Sequence, residues 1–171
     1  MRLKSARSKV WIGVLAGVIV LAGLLRWFVW QPYQISSTSM EPALLSGDRV
    51  LINQFTMRFW APSRGDIVVF AYPLDPRHTF VKRVIALPGE SVELRDNQAL
   101  INGRVLQEPY LKPGDYPPFP PETVPEDKVF VLGDNRQESS DSREWGLLPR
   151  DHILGKYALT YYPFSRWGIS Q

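Results

Sequence analysis

Sixteen consecutive residues near the start of the chain, Val10 to Leu25 (VWIGVLAGVIVLAGLL), carry no charge. A stretch that is apolar all round has no polar face for water, so it does not suit a surface helix of a soluble domain. Arg26 interrupts the run, and Trp27-Phe28-Val29-Trp30 follows. At ~1.5 Å of rise per residue, a helix from Val10 to Trp30 reaches roughly 30 Å, the hydrocarbon thickness of a bilayer. Arg26 near the end can snorkel, and tryptophans suit the interface. Arg2, Lys4, Arg7 and Lys9 precede the run. The positive-inside rule then puts the N-terminus in the cytoplasm and the rest of the chain outside. A cleaved export signal shares the basic start and apolar middle. The residues after Leu25 (RWFVWQPYQ) are bulky, however, and offer no small-x-small site. The expectation is an uncleaved anchor over residues 1–30 and an extracytoplasmic domain over residues 31–171.

The charge distribution supports this division. Five of the 20 Lys and Arg residues fall in residues 1–30, which hold no acid; the remainder keeps 15 bases against 17 acids. The formal charge of +3 therefore belongs to the N-terminus, and the body is slightly acidic. No nucleic-acid partner is expected from such a body. The absence of cysteine removes disulfides, thiolate nucleophiles and cysteine zinc sites. With only two histidines, neither a metal nor an organic cofactor is expected.

Fifteen prolines and twelve glycines imply many turns and a mainly β chain. Runs rich in β-branched and aromatic residues mark strands at Arg49–Phe55, Asp66–Ala71, Thr79–Leu87, Lys128–Leu132 and Lys156–Tyr162. Ser91–Leu94 and Ala99–Ile101 flank a short turn, and Asn102-Gly103 leads into Arg104–Gln107 as a hairpin. Pro109 to Pro125 holds seven prolines. Proline lacks a donor and fixes φ, so this stretch reads as an extended loop and not as a central strand. The hairpin and the proline-rich loop occupy residues 91–127. No long amphipathic helix is expected after residue 30.

Three polar stretches carry candidate chemistry. They are Ser36-Ser37-Thr38-Ser39-Met40-Glu41-Pro42, then Lys82-Arg83, and Gly133–Arg143 (GDNRQESSDSR). Lys82 is the informative residue. In TFVKRVIAL both alternating faces are apolar, which predicts a strand buried on both sides. Burial disfavours an ammonium, so the amine pKa falls. A neutral amine near neutral pH can take the proton of a serine hydroxyl. The alternative places Lys82 and Arg83 at a sheet edge, snorkelling to water. The serine cluster and Gly133–Arg143 by themselves read as turns, with Asp141 pairing Arg143. There is no G-x-S-x-G elbow and no S-x-x-K pair. His78 and His152 both follow turn residues and read as incidental. Trp60, Trp145 and Trp167 are candidates for headgroup contact or for the core.

Taken jointly and in order, these stretches resemble the bacterial-type type I signal peptidases, or leader peptidases. Ser37–Pro42 is similar to that family's S-x-S-M-x-P box, and Gly47–Asn53 to its G-D box. Arg64–Phe70 resembles its R-G-D-(I/V)-V-V-F segment, and Phe80–Glu90 its lysine box. Gly133–Arg143 resembles its G-D-N-R-x-x-S-x-D-S-R box. Phe80, Ala86 and Glu90 stand where the family commonly has tyrosine, glycine and aspartate.

The resemblance implies a mainly antiparallel, barrel-like catalytic domain behind one transmembrane helix. It implies Ser39 as nucleophile and Lys82 as general base. The Ser37 hydroxyl and the Ser39 N–H would form the oxyanion hole, Ser139 would orient the lysine, and Asp141 with Arg143 would form a structural ion pair. The implied substrates are preproteins cut after small-x-small sites at the outer face of the plasma membrane. Implied partners are signal peptides, the lipid bilayer and, by proximity, the secretion machinery. An inactive relative that only binds preproteins is the alternative. A self-cleaving repressor-type protease would share the dyad, but would want a DNA-binding module in place of the anchor.

Overall fold

The computed structural model describes residues 11–23, 30–59 and 61–169. Residues 11–23 form a helix, α1, with every side chain exposed. No helix among the described residues is long and apolar enough to cross a membrane. The rest of the expected anchor, at Val10 and residues 24–29, lies outside the described residues, as do the basic tip and Trp60.

Eleven strands follow. The first five are β1 (Trp30–Gln34), β2 (Arg49–Asn53), β3 (Ile67–Ala71), β4 (Thr79–Ala86) and β5 (Ser91–Arg95). Next come β6 (Gln98–Ile101), β7 (Arg104–Val105), β8 (Phe119–Thr123) and β9 (Lys128–Leu132). The last two are β10 (Leu148–Pro149) and β11 (Ile153–Tyr162). Two short helices interrupt them, α2 (Gln54–Phe59) and α3 (Ser142–Trp145). All strand pairs are antiparallel. One sheet runs β1-β2-β11-β3-β4-β9-β10 and a smaller one runs β7-β6-β5-β8.

The strands expected from the sequence are present, β1 and β10 are additional to them, and three further differences stand out. The strand expected over Arg49–Phe55 stops at Asn53, where α2 begins. Trp30, read as the last residue of the anchor, is the first of β1 and pairs with Asn53. The proline-rich loop contains β8, whose Pro120 and Pro121 sit on the outer strand of the small sheet. An edge strand tolerates proline because one row of its N–H groups has no partner. The hairpin at Asn102-Gly103 is present, with φ of 51° and 75° as a tight two-residue turn requires.

Three apolar clusters hold the fold. Ile35, Met40, Leu44, Val50, Ile52, Ile67, Val69 and Tyr157 form one cluster, with Val81 of β4 packed against them. Ile85, Phe130 and Leu132 pack against Val92, Leu94 and Ile101 of the small sheet. Val68, Phe70, Val84 and Val131 close with Leu148 and Trp145 on the remaining face. β4 thus contributes to all three clusters, which is why its two faces read as apolar. Trp145 is a core residue, lying 5.7 Å from Phe70 and 5.9 Å from Tyr72, centroid to centroid. Trp167 is 64% exposed.

Candidate active site

Ser39 lies in the connection between β1 and β2. Its base is pinned where Ile35 N–H donates to the Asp48 carbonyl at 2.9 Å and Gly47 N–H to that of Ile35 at 2.8 Å. The Asp48 carboxylate accepts from Leu45 N–H and from the Arg166 guanidinium. Met40 and Leu44, directly after Ser39, are buried in the core. This apolar anchoring fixes the turn that carries the serine. Ser39 is itself only 6% exposed.

Lys82 comes from the middle of β4, opposite Val68 of β3, and is 4% exposed. That burial excludes snorkelling to water, although Lys82 lies on the part of β4 that β9 leaves unpaired. Its Nζ donates to Ser39 Oγ at 2.8 Å and to the Val81 carbonyl at 3.1 Å. Burial lowers its pKa to about 8; the charges of Asp141 and Asp134 oppose the shift, and that of Arg143 adds to it. Ser37 Oγ lies 3.2 Å from Ser39 Oγ. A hydroxyl, a second hydroxyl and a poised amine converge on one point.

The segment 133–143 covers this centre from behind. Asn135 N–H donates to the Ser39 carbonyl at 3.0 Å. Gly133 is needed for close approach: a Cβ there would fall 2.1 Å from Ser139 Oγ and 2.5 Å from the Ser39 carbonyl oxygen. Asp141 is fully buried and pairs with Arg143 through two bonds of 2.7 and 2.8 Å. It also accepts from Gly133 N–H, while Arg143 donates to the Ser139 carbonyl. The ion pair thus holds both Gly133 and Ser139. The expected bond between Ser139 and the lysine is not formed. Ser139 Oγ is buried without a hydrogen-bond partner, because the amine turns instead to Ser39 and the Val81 carbonyl.

A second buried layer lies next to the lysine and escaped the sequence reading. Arg83 forms a two-bond pair with Asp134 at 2.8 and 2.6 Å and donates to the Gly65 carbonyl. The Arg83 guanidinium lies over the Tyr110 ring. Tyr110 donates to Glu108 at 2.7 Å, and Glu108 pairs with Arg136, both buried. Burial, then the charge of Glu108, pushes the Tyr110 phenol far above its ordinary range, so it stays neutral. Arg83, Asp134 and Arg136 stand in recognisable boxes. Nothing local to Glu108 or Tyr110 marks them as their partners.

A cleft of about 260 Å³ opens over Ser39 and Lys82, lined by residues 33–37 and 79–82 with Met40, Glu138 and Ser140. β1 is the edge of its sheet. β4 is paired with β3 along residues 79–83, but β9 joins it only from Arg83 onward. Two unpaired strand edges therefore face one another across the cleft.

The sequence profile described as "Signal peptidase, peptidase S26" matches residues 8–162. The chain belongs to this signal peptidase family. It is 44% identical over 165 residues to a Synechocystis protein named "Probable signal peptidase I-1", covering 92% of this chain and 84% of that one. It is 37% identical over 169 residues to "Signal peptidase I P" of Bacillus subtilis subsp. natto, covering 91% and 89%. A crystal structure of a signal peptidase I from Enterococcus faecalis superposes with a TM-score of 0.50 at 37% identity, covering 57% of this chain and 97% of that chain. Among signal peptidases of this family, then, the mainly antiparallel β architecture is shared.

Proposed function

We propose that this chain removes signal peptides from preproteins with Ser39 as nucleophile and Lys82 as general base. The observation that carries the assignment is the 2.8 Å bond from Lys82 Nζ to Ser39 Oγ inside a cleft walled by two open strand edges. A preprotein segment entering between residues 33–37 and 79–82 can pair its backbone with either edge. Ile35, Met40 and Phe80 line the cleft, and so limited an apolar space suits small side chains before the cut.

In the neutral state the lysine amine accepts the Ser39 proton as Oγ attacks the scissile carbonyl. Charge then develops on the carbonyl oxygen, toward which the Ser37 hydroxyl and the Ser39 N–H can donate. As the C–N bond breaks, the ammonium returns its proton to the departing amine of the mature protein. The freed amine next activates water, which attacks the acyl ester and releases Ser39 and the signal peptide's new carboxylate. Ser139 would take up the lysine when Ser39 engages substrate; its buried hydroxyl, unpartnered beside Gly133, supports this reading. Asp141 and Arg143 hold that serine in place.

The residues before β1 anchor the chain in the plasma membrane with the N-terminus inside, and those from β1 onward form the extracytoplasmic catalytic domain. Exposed Phe164, Trp167 and Ile169 after β11 support contact of that domain with the bilayer. So does the exposed Phe59 of α2, which packs beside β1. The secretion machinery is a neighbour through the shared membrane.

The test is cleavage of a purified preprotein with an Ala-x-Ala site by the full chain in detergent, beside Ser39→Ala and Lys82→Ala. Cleavage after the second alanine by the unmodified chain alone is expected. Binding without cleavage by a well-folded unmodified chain overturns the assignment in favour of a preprotein-binding relative.

A further inference from the structure

We propose that Glu138 selects for charge on the mature side of the cleavage site, favouring basic and disfavouring acidic residues just after the cut. This rests on the peptidase reading above and specifies its substrates further.

Among the described residues, two charged side chains line the cleft, the buried Lys82 and the exposed Glu138. Glu138 stands next to Ser139, within the segment packed behind the nucleophile. Its position is fixed by the backbone: Glu138 N–H donates to the Asn135 carbonyl at 3.1 Å, and Asn135 N–H to that of Ser39 at 3.0 Å. The carboxylate accepts from Thr38 Oγ1 and from Asn135 Nδ2, each at 3.4 Å. Both donors are neutral and sit at the outer limit of hydrogen bonding, so they leave the carboxylate's charge and most of its lone pairs available. No ion pair engages Glu138 among the described residues.

The direction of substrate follows from the walls. The two strand edges and the apolar residues Ile35, Met40 and Phe80 receive the segment before the cut, where small neutral side chains fit. β1 ends at Gln34, the chain runs on through residues 35–37 to the turn carrying Ser39, and the Glu138 carboxylate stands beside Thr38 in that turn. The charges that can approach it belong to the first residues of the mature protein. A cation there gains attraction at a few ångströms, and an anion meets like-charge repulsion.

The experiment uses the full chain in a non-ionic detergent and three preproteins that share an Ala-x-Ala site. They differ only in Lys, Gln or Glu at the two positions after the cut. kcat/KM is measured at pH 9, above the lysine's value of about 8, so that changes in amine ionisation do not enter. The Lys substrate is expected to exceed the Glu substrate by about 10-fold at low salt, and by less at high salt. In Glu138→Gln the ratio should fall to within about 2-fold, and in Glu138→Lys it should invert. The same order and ratio in all three proteins overturns the role of Glu138 and leaves the peptidase reading intact. Failure of the unmodified chain to cut any of the three overturns the peptidase reading, and this inference with it.

Discussion

The Arg83 guanidinium lies over the ring of Tyr110, 3.9 Å from its centroid. Arg83 follows the lysine in β4, whereas Tyr110 belongs to the proline-rich segment between β7 and β8. The segment is thereby latched to the strand that carries the candidate base. Glu108 completes the latch by pairing with Arg136, which in turn donates to the Gly133 carbonyl.

Removing the carboxylate from this latch strands a buried guanidinium. Glu108→Ala should cost about 3 kcal/mol, the range for breaking a buried pair. Tyr110→Phe keeps the ring under Arg83 and loses one hydrogen bond, at about 1 kcal/mol. Urea unfolding followed by tryptophan fluorescence checks both values. Equal costs for the two variants would contradict the buried-pair account.

Lys82 predicts the pH dependence of cleavage. Its ordinary value of 10.5 is lowered to about 8 by burial. The neutral amine is the reactive form, and its fraction grows as pH rises through that value. Log kcat/KM should therefore climb with a slope near one below pH 8 and level off above it. A profile that stays flat from pH 6 to pH 9 would rule out the lysine as base.

Neighbouring charges should move this limb in opposite directions. The Asp141 carboxylate favours the ammonium, and the Arg143 guanidinium disfavours it. Asp141→Asn should shift the limb to lower pH, and Arg143→Gln to higher pH. Both variants lose the pair and some stability, so stability alone cannot reproduce the opposite signs. Shifts in the same direction would show that the pair acts on the lysine through structure only.

Gly133→Ala tests the close packing behind the nucleophile. The added methyl meets the Ser139 side chain and the Ser39 carbonyl well inside contact distance. Displacement of Ser39 by about 1 Å is enough to lower kcat about 100-fold. Circular dichroism should remain native, since overpacking at one site costs only about 1–3 kcal/mol. Unchanged kcat would mean that segment 133–143 yields without moving the serine.

The legible parts of the sequence were those in which local pattern and tertiary role coincide. TFVKRVIAL reads as two-sided because β4 feeds three apolar clusters, whereas the pattern alone leaves open whether its lysine is buried or at an edge. The Asn102-Gly103 turn is dictated by its own backbone. Resemblance points to Ser37, Ser39 and Lys82 together, and the fold brings Ser37 and Lys82 each within hydrogen-bond reach of Ser39. Other features depended on which distant segment arrives. Tyr110 has no local reason to sit on Arg83, and Glu138 has none to face the cleft. The orphaned hydroxyl of Ser139 was invisible because several acceptors compete for one amine. β8 was hidden by its prolines, which an outer strand accommodates but a sequence pattern reads as loop.

β4 changes neighbours half-way along, gaining β9 only from Arg83 onward. Its first half remains an unfinished ladder opposite the open edge of β1. Under the proposed function, each client chain would supply the missing strand for the moment of cleavage and then depart. Backbone amides are the same in every polypeptide, so such a gap admits clients of unrelated sequence and asks only that they arrive extended. A compact, already folded segment cannot meet that demand. Under the proposed function, the gap in the sheet would therefore favour extended chains over folded ones.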